Sequence, residues 1–99
     1  MGKLVRDRIP EIIRKSGREP IVRVLGDQDF DKELRLKLIE ESQEIVAARD
    51  DEVLAELADL WEVLNALAEH RGLSCVQIIE AAKLKAHERG AFSARYFID

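Results

Sequence analysis

Apolar side chains recur every three, four or seven residues through the middle of the chain, which is the spacing of a helix with one buried face. The first run predicts a helix over residues 31–49, and Asp29 or Asp31 is a suitable N-cap for it. Its apolar sector consists of Leu34, Leu38, Ile45 and Ala48. This helix is expected to bury that sector.

A second run predicts another long helix, which begins after an N-cap at Asp50 or Asp51, continues to about Arg71 and is ended by Gly72. Its apolar stripe consists of Val53, Leu57, Leu60, Leu64 and Leu67. Because the join between the two helices is very short, we expect an antiparallel helical hairpin.

Shorter elements are predicted on either side of the hairpin. Residues 5–15 fit a short helix with Pro10 in its first turn, where proline is tolerated. Residues 75–89 fit a third long helix, because Ser74 and Gln77 have the spacing of a capping box. Alternating apolar and basic residues over 21–25 fit a short strand with which the aromatic tail could pair. The fold class expected is therefore mainly all-α.

Composition supports one small globular domain over residues 1–99. The chain is 46% hydrophobic and 36% charged, and this mixture of Glu, Lys, Arg, Leu and Ala is typical of helical proteins rather than disordered ones. A chain of 99 residues buries a modest fraction of its surface, so a lone monomer would be only marginally stable. Association of chains is one way to supply the missing packing.

Charge and cysteine content restrict the location and the partners. The net charge of −4 disfavours general binding of nucleic-acid polymers. The single cysteine, Cys75, fits a reducing compartment, and we expect a cytoplasmic protein. The N-terminal residues lack an apolar run of signal-peptide length, and no stretch approaches the roughly 20 apolar residues of a membrane span, so no membrane association is expected.

Acidic residues interrupt the apolar faces of both long helices. Glu41 lies inside the apolar sector of the first helix, Glu44 lies on its flank, and Glu40 lies a little further round. On the second helix Glu56 borders the apolar stripe, and Asp59 follows three residues later. Antiparallel packing would bring these carboxylates into one region, where like charges repel and raise each other's pKa values. A divalent cation would relieve that repulsion, and oxygen ligands favour Mg²⁺ or Mn²⁺.

A solvent-exposed face and a di-iron site are the two alternatives to a Mg²⁺ site for these acids. Acids at helical spacing are commonly a solvated face held by ion pairs, and this alternative stays open. A di-iron site in a helical bundle uses a Glu-x-x-His step. Leucines, Leu67 and Leu84, occupy the positions three before His70 and His87, so neither histidine fits that site.

The acidic motifs resemble those of a known superfamily. EESQE at residues 40–44 followed by ELAD at 56–59 resembles the metal signature of the all-α nucleoside triphosphate pyrophosphatases, the MazG-like and phosphoribosyl-ATP pyrophosphohydrolase-like proteins. KLVRDRIPEII at residues 3–13 looks like the opening of a small single-domain branch of that superfamily. HERGAF at residues 87–92 looks like its basic closing segment, so the resemblance covers nearly the whole chain.

The resemblance implies a function and a site. The reaction is hydrolysis of a nucleoside triphosphate between its α and β phosphates, which cleans the nucleotide pool of aberrant members. The implied Mg²⁺ ligands are Glu40, Glu41, Glu44, Glu56 and Asp59. The implied assembly is a homodimer or homotetramer in which hairpins from two chains form a four-helix core.

Catalysis and substrate binding can be assigned only to candidate residues. Glu41 and Glu44 are candidates for positioning or deprotonating the attacking water. Basic side chains are needed on the phosphates and on the leaving pyrophosphate, and the candidates are Lys83, Lys85, Arg89, Arg95, Lys3 and Arg6. The preferred base stays open. So do two rival functions, phosphoribosyl-ATP hydrolysis in histidine synthesis and a non-catalytic helical interaction module.

Overall fold

The computed structural model describes residues 2–99, and every regular element among them is helical. In chain order these are α1, α2, a single 3₁₀ turn, α3 and α4, which cover Ile9–Lys15, Asp27–Ala47, Asp50–Glu52, Val53–His70 and Cys75–Arg89. The prediction of an all-α fold is confirmed.

Helix α1 is shorter than predicted. It begins at Ile9 rather than residue 5, with Pro10 in its first turn as expected, and it ends at Lys15. The residues before it form a turn in which the Ile9 backbone N–H donates to the Arg6 carbonyl at 3.1 Å. Gly17, at φ +92°, reverses the chain after the helix, because glycine adopts this left-handed conformation without steric cost. The hydrogen bond from Ile9 therefore makes the Arg6 backbone part of the turn that precedes α1.

Helix α2 begins earlier than predicted, and the expected aspartate caps are wrong. Its N-cap is Gly26, whose carbonyl accepts the Phe30 N–H at 2.9 Å, with no side-chain cap. Asp27 and Asp29 lie instead in the first turn of the helix. Negative charge there is favourable because it faces the positive end of the helix dipole. The aspartates are thus explained by the dipole rather than by capping.

The connection between α2 and α3 is short, as predicted, and the two helices form a hairpin. The extended residues Ala48 and Arg49 end α2, and the 3₁₀ turn leads directly into α3. Arg49 rather than Asp50 or Asp51 precedes the turn, and its backbone N–H donates to Glu52 Oε1 at 3.0 Å. The carboxylate of Glu52 therefore satisfies one of the donors that a helix start leaves unpaired.

Helix α4 has the predicted bounds and the predicted cap. The Ser74 hydroxyl accepts the Gln77 N–H at 3.1 Å, and the Ser74 N–H donates to the Gln77 side-chain oxygen at 2.8 Å. Gly90 ends the helix at φ +83°. This capping box is worth on the order of 1 kcal/mol of helix stability.

The strand predicted over residues 21–25 is absent: these residues are irregular. Ile21 and Val24 are almost fully exposed, at 104% and 94%, so their apolar side chains contact no sheet face. A strand requires a hydrogen-bonded neighbour, and neither this segment nor the tail after Gly90 is in strand conformation. The segment therefore has the alternation of a strand but lacks the neighbouring strand with which it would pair.

The chain groups into two compact units, one that extends through Leu67 and one that comprises Ala68–Asp99. Within residues 2–99, the buried residues are Leu34, Ala68 and Glu41, at 2%, 6% and 6% exposure. None of the described helices is both long enough and apolar enough to span a bilayer. Glu41 is therefore one of the three most buried residues of the described chain.

Candidate metal centre

Four acids of the first unit lie in matching positions on α2 and α3. Glu44 lies three residues before the end of α2, and Glu56 lies three residues after the start of α3. Glu41 lies six residues before the end of α2, and Asp59 lies six residues after the start of α3, so both are three residues further from the connection. Because residues three apart share a helix face, the hairpin aligns one pair of carboxylates with the other.

The carboxylates of Glu41, Glu44, Glu56 and Asp59 converge, and we call them the acid cluster. One oxygen from each lies within 4.8 Å of an oxygen from each of the others. Glu40, which the resemblance also implied as a ligand, is outside this group. Its Oε2 lies 3.3 Å from the Lys37 ammonium. The structure thus brings together four of the five acids named from the sequence.

The acid cluster contains two buried oxygens that have no hydrogen-bond partner. These are Oε2 of Glu41 and Oε2 of Glu56. Glu41 as a whole is 6% exposed and lies in the apolar sector predicted for it. An unpaired buried charge costs several kcal/mol unless a cation or a proton compensates it. A cation or a proton at these two oxygens would therefore be stabilising.

Burial and mutual repulsion raise the pKa values of two of the four acids. Burial is the main cause for Glu41, and the charges of Glu44, Asp59 and Glu40 raise its pKa further, while Lys37 opposes them. Burial also raises the pKa of Glu56, followed by a hydrogen bond with the Glu44 carboxyl and by the charges of Glu44, Asp59 and Glu41. In the absence of a cation, Glu41 and Glu56 therefore retain protons more readily than isolated carboxylates do.

Lys37 is a largely buried lysine that contacts the acid cluster. Its side chain is only 18% exposed, and its ammonium lies 3.7 Å from Glu41 Oε1 and 3.3 Å from Glu40 Oε2. The sequence interpretation placed it on the flank of the apolar sector. The i,i+4 spacing to Glu41 was the available signal, but it is equally typical of a solvent-exposed ion pair. Lys37 contacts one oxygen of Glu41 and leaves Oε2 unpaired.

Arg6 reaches the acid cluster from the N-terminal segment. Its Nη2 donates to Asp59 Oδ1 at 2.7 Å, and the two side chains are 56% and 42% exposed. Of the six basic candidates named from the sequence, Arg6 is the one for which the structure records a contact with the cluster. Lys3 is exposed. The other four, Lys83, Lys85, Arg89 and Arg95, are exposed residues of the second unit and stay predictions.

The donor set of the acid cluster fits a hard divalent cation. Mg²⁺ binds oxygen ligands at about 2.0–2.1 Å, so two ligands on opposite sides of one ion are about 4.2 Å apart. The separations in the cluster are at most 4.8 Å, and side-chain rotation would have to close the small excess over this value. No histidine or cysteine belongs to the cluster, which favours Mg²⁺ or Mn²⁺ over Zn²⁺.

Comparison with known proteins gives one partial relative. The chain is 54% identical over 48 residues to an uncharacterized protein of Mycolicibacterium smegmatis (strain ATCC 700084 / mc(2)155). The match covers 48% of this chain and 49% of the relative, so the chain spans about half the length of that protein. No protein-family model matches the chain. No solved structure matches it.

Proposed function

We propose that this protein is a Mg²⁺-dependent nucleoside triphosphate pyrophosphohydrolase of the MazG-like type, acting in the cytoplasm on aberrant nucleotides. The observation that carries the proposal is the pair of buried, unpartnered oxygens on Glu41 and Glu56 within the acid cluster. Four carboxylates that converge without a cation are electrostatically unfavourable. The resemblance of EESQE and ELAD to the superfamily's metal signature supports the reaction type.

The four residues of the acid cluster are the proposed ligands. A bound Mg²⁺ would neutralise phosphate oxygens and lower the pKa of a bound water. Among them Glu41 is buried, and its Oε1 lies 3.7 Å from the Lys37 ammonium. Glu40 is left out of the proposed ligand set because its carboxylate lies outside the acid cluster.

The proposed reaction adds water to the α phosphorus and breaks the bond from that phosphorus to the oxygen bridging to the β phosphorus. The products are a nucleoside monophosphate and pyrophosphate, and one proton of the water passes to a carboxylate. Glu41 and Glu44 are the candidates for accepting this proton.

The proposed enzyme is a homodimer or homotetramer whose hairpins form a four-helix core. Apolar side chains of α2 and α3 that are about half exposed or more support this proposal: Ile39, Val46, Leu54, Leu57 and Trp61. Ile39 and Val46 border a shallow groove on α2 with Leu38. Contiguous apolar surface of this kind is typical of an interface.

A nucleotide panel with product analysis tests the proposed function. The protein is incubated with Mg²⁺ and each of the common and aberrant nucleoside triphosphates and phosphoribosyl-ATP, and the phosphorus products are separated. We expect pyrophosphate and the monophosphate in equal amounts. Release of orthophosphate alone would contradict cleavage between the α and β phosphates. Cleavage confined to phosphoribosyl-ATP would indicate the rival role in histidine synthesis, and no cleavage at all would favour an interaction module.

A further inference from the structure

The contact between Arg6 and Asp59 joins two parts of the first unit that are 53 residues apart in the sequence. Arg6 lies in the turn before α1, where its carbonyl accepts the Ile9 N–H, and Asp59 lies on α3. The distance of 2.7 Å between Arg6 Nη2 and Asp59 Oδ1 is that of a strong charge-assisted hydrogen bond. The N-terminal segment therefore places a guanidinium at the edge of the acid cluster.

Stability alone is a poor explanation for this pair. Both side chains are about half exposed, at 56% and 42%, and ion pairs in contact with solvent stabilise proteins weakly. The guanidinium also places a positive charge beside a cluster that is proposed to bind a cation, which opposes binding of the cation alone. A positive charge in this position becomes favourable once a polyanion accompanies the cation.

The geometry of the two side chains leaves room for such a polyanion. A guanidinium has five N–H donors, and the contact with Asp59 engages one of its three nitrogens. Arginine binds phosphate through parallel N–H donors, which lysine cannot reproduce. A carboxylate has two oxygens, so Asp59 can accept from Arg6 on Oδ1 and still offer an oxygen to a metal ion. The exposed half of Arg6 is open to a ligand that approaches from solvent.

We propose that Arg6 is a substrate-binding residue that contacts the pyrophosphate portion of the nucleotide, and that Asp59 orients it while serving the acid cluster. This inference rests on the proposed function. It assigns two roles to Asp59, one toward the metal and one toward Arg6. The position of the Arg6 guanidinium is thereby coupled to the metal centre. It predicts recognition of the phosphate chain without regard to the base.

Binding of inorganic pyrophosphate in the presence of Mg²⁺ tests this role directly, because pyrophosphate carries the phosphates and no base. We expect Arg6→Ala to weaken binding of Mg²⁺-pyrophosphate by about 10- to 100-fold, as for loss of a hydrogen bond to a charged group. Binding of Mg²⁺ alone should be unchanged or tighter, since a nearby positive charge is removed. Arg6→Lys should recover only part of the loss, because it restores charge without the parallel donors.

Arg14→Ala is the matched control. Arg14 also belongs to the N-terminal region, is 50% exposed, and pairs with Glu19 at 3.2 Å. The Arg14→Ala variant should bind Mg²⁺-pyrophosphate with an affinity within about twofold of that of the parent protein. Calorimetry on the three variants and the parent measures each affinity, and thermal melting verifies that each variant is folded.

Two results would overturn the role of Arg6. One is equal pyrophosphate affinity in Arg6→Ala and Arg14→Ala, and the other is an equal loss of affinity for Mg²⁺ alone and for Mg²⁺-pyrophosphate in Arg6→Ala. Nucleotide turnover by the parent protein separates this failure from failure of the proposed function. If the parent cleaves triphosphates and Arg6→Ala has an unchanged KM, only the assignment of Arg6 is wrong. If the parent cleaves none, the proposed function itself is wrong.

Discussion

An oxygen of Glu44 and an oxygen of Glu56 lie within 4.8 Å of each other although the two residues belong to different helices. Two ionised carboxylates at this separation repel each other. Burial, a hydrogen bond with the Glu44 carboxyl and the charge of Glu44 raise the pKa of Glu56. Without a cation, the α2–α3 hairpin therefore favours a proton on Glu56 where we propose that it binds Mg²⁺.

Binding of Mg²⁺ should displace this proton. Ligand carboxylates must be ionised, so protonation competes with the metal, and affinity should fall as the pH is lowered through the raised pKa values of Glu41 and Glu56. Calorimetry at several pH values from mildly acidic to alkaline, each in two buffers with different ionisation enthalpies, measures the protons released. We expect net release that declines towards zero at higher pH. Binding with no proton release at any pH would contradict the assigned pKa directions.

Replacement of Glu41 by glutamine should stabilise the metal-free protein while removing its response to metal. A raised carboxyl pKa means that the folded state favours the protonated form, so the contribution of Glu41 to stability is fully present below its ordinary pKa of 4.5 and is lost as pH rises through the raised value. At neutral pH with a chelator, Glu41→Gln should therefore raise Tm by roughly 5 °C, which for a chain of this size corresponds to about 1 kcal/mol.

The same variant should lose both the Mg²⁺-dependent rise in Tm and nucleotide turnover. A metal that binds only the native state raises Tm by mass action, so the loss of a ligand removes that rise. Glu40→Gln is the matched control, because Glu40 is adjacent but pairs with Lys37 outside the acid cluster. It should retain the metal response. Equal metal responses in both variants would contradict the assignment of Glu41.

Replacement of Lys37 by glutamine should make metal binding more dependent on pH. Lys37 lowers the pKa of Glu41, so its loss raises that pKa further and strengthens competition by protons. At mildly acidic pH we expect the Mg²⁺ affinity to fall about two- to fivefold, the size of a modest ion-pair contribution. At alkaline pH the affinity should be unchanged or higher, because a repulsive positive charge has been removed.

Lys15→Gln provides the comparison for Lys37→Gln. Lys15 makes an i,i+4 pair with Glu11 at 3.4 Å, but both side chains are more than half exposed, at 75% and 62%. Its replacement should leave Mg²⁺ affinity unchanged at every pH. A Lys37→Gln variant whose affinity changed by the same factor at acidic and alkaline pH would show that Lys37 does not act through Glu41.

The exposed apolar faces of the hairpin should mediate self-association. Val46 and Leu54 are 88% and 81% exposed. Burial of a side chain of this kind contributes about 1.5–3 kcal/mol. We expect light scattering to find a dimer or tetramer, and Val46→Glu combined with Leu54→Glu to shift it towards monomer. Ile21→Lys, in the irregular segment, removes an equally exposed apolar residue and should leave the mass unchanged. A stable monomeric parent protein would contradict the four-helix core.

The helices and the acid cluster follow largely from the sequence. Glu41 lies three residues after Leu38 and four before Ile45, so any helix that buries these leucine and isoleucine residues must also carry Glu41 inward. The short connection then fixes the register that aligns Glu44 with Glu56. These relations are local, and local spacing determines them.

The remaining features depend on contacts that spacing does not encode. Glu40 and Glu41 are adjacent in the sequence and both pair with the Lys37 ammonium, yet only Glu41 is buried and belongs to the acid cluster. The contact of Arg6 with Asp59 spans 53 residues and has no periodic signal. The strand predicted over residues 21–25 had the right alternation, but a strand also needs a partner, which alternation does not supply.

The most direct test of the central claim is anomalous diffraction from crystals grown with Mn²⁺, which prefers the same octahedral oxygen coordination as Mg²⁺. The account predicts an anomalous peak among the carboxylates of Glu41, Glu44, Glu56 and Asp59, with Oε2 of Glu41 in its coordination sphere. Crystals that contain Mn²⁺ at millimolar concentration, yet show these four side chains turned apart into solvent and no peak between them, would contradict it.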